Sequence, residues 1–93
     1  MTIQLFGMDY EVVRVPRADL GGDDAETKPE RNELWIADDL CDAQMRRAIT
    51  HEVLHIAETE LDMELTETYV IRLTTELYAI GAKFPWDQEQ SES

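Results

Sequence analysis

At 93 residues the chain is long enough for one domain, and its 43% apolar content is that of a globular protein and excludes wholesale disorder. Eight Lys and Arg stand against 21 Asp and Glu, a net charge of −13, which argues against direct contact with a nucleic-acid backbone because that needs clustered cations. Cys41 is the single cysteine, so no intrachain disulfide can form, and no apolar run approaches membrane-spanning length.

Taken in order, residues 2–6 alternate and contain β-formers, Gly7-Met8-Asp9 reads as a turn, and Tyr10–Val15 reads as a second strand. Pro16 ends it, having no N–H to donate to a ladder. Residues 17–32 are polar, with Gly21-Gly22 and Pro29, and are expected to form an exposed loop. Glu33–Ala37 is a short third strand. A helix is expected from Cys41-Asp42 to about Glu60, with no Gly or Pro inside it and an acidic group at its start. Residues 61–65 form a link, and Thr66 is a suitable N-cap for a second helix. That helix carries Tyr69, Val70, Leu73, Leu77, Ile80 and Phe84 at helical spacing, and Gly81 and Pro85 stop it. The polar tail of residues 87–93 is expected to be disordered, leaving one domain over 1–86. The expected fold class is α+β: a small antiparallel three-stranded sheet packed on two roughly antiparallel helices.

Within the first helix, Thr50-His51-Glu52-Val53-Leu54-His55 holds both histidines of the chain. Residues four apart lie on one helix face, so the two imidazoles can share one Zn²⁺ at about 2.0–2.1 Å. Glu52 points to a neighbouring angle, where it can reach a water without ligating the metal itself. This H-E-x-x-H pattern is that of a metal-dependent hydrolase whose glutamate is the general base. Met45, Ala48, Ile49, Val53 and Ile56 form the apolar arc of the helix, and the histidines lie just beyond its edge, with dry support on one side and water on the other.

A catalytic zinc needs a third protein ligand. Cys41 is about 15 Å from His51 along a helix, out of reach, and Glu58 and Glu60 lie beyond the second histidine on the same helix. Asp62, Glu64, Glu67 and Glu76 remain. Glu67, in the first turn of the second helix, is favoured, with Glu64 next, because a short link returns that turn toward His55.

The run His51-Glu52-Val53-Leu54-His55-Ile56-Ala57, followed by Glu67-Thr68-Tyr69-Val70-Ile71-Arg72-Leu73-Thr74-Thr75-Glu76-Leu77-Tyr78, resembles the minimal zincins of phages and prophages. It is similar, more distantly, to the ImmA/IrrE-type metallopeptidases, and the likeness spans roughly residues 33–80. The resemblance implies that the glutamate opening the second helix, here Glu67, is the third ligand. It also implies that an edge strand beside the motif helix holds an extended peptide, a place that Trp35 and its neighbours would occupy. This chain lacks the helix-turn-helix segment and the separate specificity domain of the larger families.

Two function classes follow. The first is a zinc-dependent peptidase with His51, His55 and Glu67 on the metal and Glu52 as base. Tyr69 and Tyr78 are candidates for oxyanion stabilisation, though each also fits the core or the helix surface; Arg46 and Arg47 could meet a substrate carboxylate. The second is a non-catalytic acidic module that binds a basic protein partner. The lone cysteine and the lack of a signal-peptide pattern lead to an expected cytoplasmic location, in the host cell if the chain is phage-encoded.

Overall fold

The computed structural model describes residues 1–89. Its elements are β1 (Thr2–Leu5), β2 (Met8–Val15), β3 (Ala25–Lys28), β4 (Glu33–Ala37), α1 (Asp42–Glu60), α2 (Glu67–Ala79) and α3 (Pro85–Glu89), with 3-10 turns at Arg17–Leu20 and Pro29–Arg31. The α+β class is as expected.

The first hairpin turns one residue earlier than the sequence suggests. Phe6 and Gly7 form the two-residue loop, with φ of 52° and 80°, and Leu5 stands opposite Met8. Two left-handed residues give a hairpin whose twist matches its strands. Phe6 reads as a strand residue by propensity, yet hairpin closure places it in the turn.

The sheet differs from the expected three antiparallel strands. It has four, in the order β1-β2-β4-β3, and β2 and β4 run parallel. Parallel neighbours need a long crossover, and residues 16–32 supply it. That segment is therefore more than an exposed loop. Beyond Gly22, Ala25 and Thr27 are half-buried while Glu26 is exposed, the alternation of a strand with one covered face. Its composition is weakly β-forming; pairing with β4 and packing on α1 override that preference.

Strand alternation divides the apolar residues between two clusters. Ile3, Tyr10, Leu34 and Ile36 meet Met45, Ile49 and Ile56 of α1 and Trp86 of α3. On the other face Val15 and Ala37 are capped by Leu20, with Val13 and Trp35 alongside. Leu34, Ile36 and Ile49 are fully buried, and burying each such side chain contributes about 1.5–3 kcal/mol.

α1 ends without a glycine. Asp62 adopts φ 53°, its N–H donates to Thr59 C=O at 3.3 Å, and Met63 N–H donates to Glu58 C=O at 2.8 Å. This is the Schellman arrangement, with Asp62 in the place glycine usually takes. α2 starts as expected, with Thr66 Oγ1 accepting Tyr69 N–H at 3.2 Å, and it ends on Gly81 at φ 83°. Glu67 meets the histidines while Tyr78 meets Arg46 and Thr50, so the two helices run in opposite directions.

A third helix is the remaining difference. α3 spans Pro85–Glu89, across the boundary expected at residue 86; it buries Trp86, and Asp87 accepts the Phe84 N–H at 3.0 Å. Residues 90–93, the rest of the expected disordered tail, lie outside the described residues. No helix among the described residues is long and apolar enough to cross a membrane.

Candidate metal centre

His51 and His55 project from the middle of α1, and Glu67 is the first residue of α2. The Schellman turn at Asp62 and the Thr66 cap bring that residue back over the histidines. Glu67 Oε1 lies 2.6 Å from His51 Nε2, and Oε2 lies 3.0 Å from His55 Nε2. One carboxylate thus spans both rings, whose centroids are 5.0 Å apart. One ligand atom from each of the three residues falls within a common 4.8 Å span. Tetrahedral ligands bonded to zinc at about 2.0–2.1 Å stand roughly 3.3 Å apart, so the carboxylate, now in direct contact with both rings at 2.6 and 3.0 Å, would have to draw back to admit the ion. Two imidazoles and a carboxylate are the donor set that leaves a catalytic zinc one open position.

The histidines are half-buried, with side chains 23% and 31% exposed, as their place at the edge of the apolar arc requires. Glu64 is exposed and makes none of these contacts, and Cys41 is exposed at the start of α1.

The centre opens into a cleft of about 630 Å³ lined by Asp23, Asp24, Arg47, Glu52 and Ile71, among others. Glu52 Oε1 accepts the hydroxyl hydrogen of Thr27 at 2.7 Å, which ties the expected base to β3. The other carboxylate oxygen is left for a second partner. Arg17 holds the cleft rim: it binds Asp39 through two nitrogens at 2.9 and 2.7 Å and Asp24 at 2.7 Å. The Arg17 guanidinium, mainly through its hydrogen bonds, keeps the Asp39 carboxyl below the usual carboxylate range.

Several expected roles change. Trp35 and its neighbours do not form the edge, because β4 lies between β2 and β3. Trp35 sits on the face away from α1, with Lys28 over its ring at 4.7 Å. The edge beside α1 is β3. Ala37 N–H donates to Asp24 C=O at 2.8 Å, so by the antiparallel alternation Ala25 and Thr27 turn their backbone groups to the open side.

Tyr69 is 65% exposed and does not line the cleft. Tyr78 is held behind it by Thr50 at 2.8 Å and Asp87 at 3.1 Å, and burial raises its pKa. Arg46 faces Asp87 at 3.6 Å, which leaves Arg47 as the arginine lining the cleft.

Two residues at the site were missed by sequence reasoning. Thr27 lay in the supposed loop and carried no motif signal. Glu58 follows His55 by three residues, a spacing that places them side by side on a helix. Glu58 Oε1 is 3.1 Å from His55 Nδ1, and Oε2 accepts the Leu65 N–H at 2.9 Å. Those two bonds, the Leu65 N–H first, hold the Glu58 carboxyl below the usual range.

Comparison with known protein families, with curated proteins and with solved structures finds no match to this chain. The functional reading therefore rests on the residues and their geometry.

Proposed function

We propose that the protein is a zinc-dependent peptidase of minimal zincin type. The observation that carries this reading is the convergence of His51, His55 and Glu67, with Glu52 lining the same cleft. Zinc would supply Lewis acidity, bringing the pKa of a water to about 7 and polarising the scissile carbonyl. Glu52 takes a proton from the attacking water, and the new C–O bond forms as that oxygen adds to the carbonyl carbon. The C–N bond then breaks, and Glu52 returns the proton to the leaving amine. Thr27 holds one oxygen of Glu52, so the carboxylate keeps a fixed aim through both transfers.

The substrate is an extended peptide segment. The outward backbone of Ala25 and Thr27 offers hydrogen bonds to an added strand, and this strand runs beside the candidate base. Ile71 and Arg47 line the cleft where side chains or a terminal carboxylate would lie.

Glu52→Gln tests the reading, since it preserves shape and removes the base. It is expected to bind zinc as wild type does and to lose peptide cleavage by about 10²–10⁴-fold. Equal behaviour of the two proteins in peptide-cleavage and cellular assays would remove the catalytic reading. The net charge of −13 supports a second one, an acidic module for a basic protein partner. Its mark is activity that survives Glu52→Gln but collapses with salt.

A further inference from the structure

We propose that Glu58 is the positioning residue of the metal centre, fixing the His55 ring and the start of the helix that bears Glu67. This rests on the metal-centre reading above. The His55 ring is held at both nitrogens: Nε2 faces Glu67 at 3.0 Å, and Nδ1 faces Glu58 at 3.1 Å. A metal on Nε2 leaves the remaining ring hydrogen on Nδ1, which then needs an acceptor. Glu58 stands there as a carboxylate and also fixes the rotation of the ring.

Its second oxygen does separate work. Leu65 N–H donates to it at 2.9 Å, and Leu65 is followed at once by the Thr66 cap and by Glu67. One side chain thus links a ligand on α1 to the residues that deliver the ligand on α2. The Glu58 main chain joins in, because its C=O accepts the Met63 N–H that closes the end of α1. Helix stability does not account for this choice of residue. An anion in the last turn of a helix opposes the macrodipole, and α1 has no basic residue there to offset it. The Glu58 side chain is only 21% exposed, against 61% for Glu67, so it is packed at the helix end rather than solvated.

Two donors need two acceptors, and only a carboxylate supplies both. A glutamine has one oxygen and one NH₂. If its oxygen keeps the Leu65 N–H, its NH₂ donates to His55 Nδ1 and shifts the ring hydrogen to Nε2, where the metal must bind. If its oxygen keeps His55, the NH₂ opposes Leu65 N–H and loosens the link to Glu67. Either way zinc binding weakens.

The test compares wild type, Glu58→Gln and Glu60→Gln, which removes the same charge two residues away at an exposed position. Zinc affinity is measured by competition with a chromophoric chelator, and the His55 tautomer in the zinc-loaded proteins by ¹⁵N NMR. Glu58→Gln is expected to bind zinc about 10–100-fold more weakly, the range for partners of metal-bound histidines. Glu60→Gln should change affinity less than about 2-fold, since exposed charges are screened. The wild-type spectrum should show the Nδ1 hydrogen in a hydrogen bond, and the Glu58→Gln spectrum should not. Melting curves of the metal-free proteins confirm that the variants fold. Zinc bound by wild type and Glu58→Gln alike, with the same tautomer signals, overturns the role of Glu58 alone. Wild-type protein that takes up no zinc overturns the metal reading and this inference with it.

Discussion

The hydroxyl of Thr27 donates to Glu52 Oε1 at 2.7 Å, joining the open edge of the sheet to the helix that carries both histidines. A strand that could hold a peptide and a carboxylate that could activate water are thereby kept in one relative position. A hydrogen bond to a charged group is worth about 1.5–3 kcal/mol, and 1.4 kcal/mol is tenfold in rate. Thr27→Val is expected to lower kcat by about tenfold while leaving zinc content unchanged. Steady-state kinetics beside elemental analysis check this; loss of zinc in the variant would show that Thr27 supports the metal instead.

The three candidate ligands should be separable by their effect on zinc. His51→Ala or His55→Ala removes one of only three protein donors and is expected to abolish stoichiometric binding of one Zn²⁺ per chain. Glu67→Ala should weaken it at least tenfold, taking the loss seen for outer partners as a floor. Failure of wild type to take up zinc in excess would rule out the centre.

Because Glu67 belongs to α2 and the histidines to α1, an ion held by all three braces the two helices. A ligand that binds only the folded chain stabilises it by about 2.7 kcal/mol at 100 times Kd. For a domain of this size that is a rise in Tm of roughly 10–20 °C. Equal melting curves with zinc and with chelator would count against a bridging site.

The chain's periodicity carried the outer elements well. α1 appears with the ends expected from the uninterrupted 42–60 run and α2 starts at its Thr66 cap, because capping and helix spacing are local; α2 ends at Ala79, however, so Phe84, expected on it, lies beyond its end. The histidine pair and Glu52 were legible for the same reason. What was not legible depended on distant partners. β3 exists because β4 and α1 cover it, and nothing in Ala-Glu-Thr-Lys announces a strand. The parallel pairing of β2 with β4 is a property of the crossover, which composition does not encode. Asp62 ends α1 in a left-handed conformation that the sequence signals only weakly, since glycine is the usual residue there. Thr27 and Glu58 followed these errors: one lay on the unseen strand, the other was set aside as lying beyond the motif.

The rim of the cleft gives a pH-dependent prediction. Arg17 lowers the Asp39 carboxyl below its usual value, so the pair adds stability that is present above the unfolded pKa and is lost as pH falls through the folded one. With an unfolded Asp near 3.9, wild type should melt higher than Asp39→Asn at neutral pH, and the gap should close below about pH 4. Added salt should narrow it as well, since the pair is exposed. A gap that persists at low pH would assign the effect to packing.

The last prediction concerns α3, a helix that the sequence reading did not anticipate. Trp86 is 5% exposed and its Nε1–H donates to Thr50 Oγ1 at 3.0 Å. Thr50 immediately precedes His51, and its hydroxyl lies 2.8 Å from that of Tyr78 on α2. The hydroxyl of Tyr78 in turn reaches Asp87 on α3 at 3.1 Å. This polar knot fastens α3 across the two helices that carry His51, His55 and Glu67. Trp86→Phe keeps most of the packing and deletes the donor, at a cost of about 0.5–1.5 kcal/mol, the net worth of one hydrogen bond. Trp86→Ala also opens a cavity, and losses of about 3–5 kcal/mol are usual for such a change. Total stabilities of about 5–15 kcal/mol are typical, so the zinc-free alanine variant should melt well below wild type. Zinc, if held by the folded chain alone, should raise the melting point of that variant at concentrations well above Kd. A zinc-free Trp86→Ala protein that melts with wild type would show that α3 merely rests on the domain.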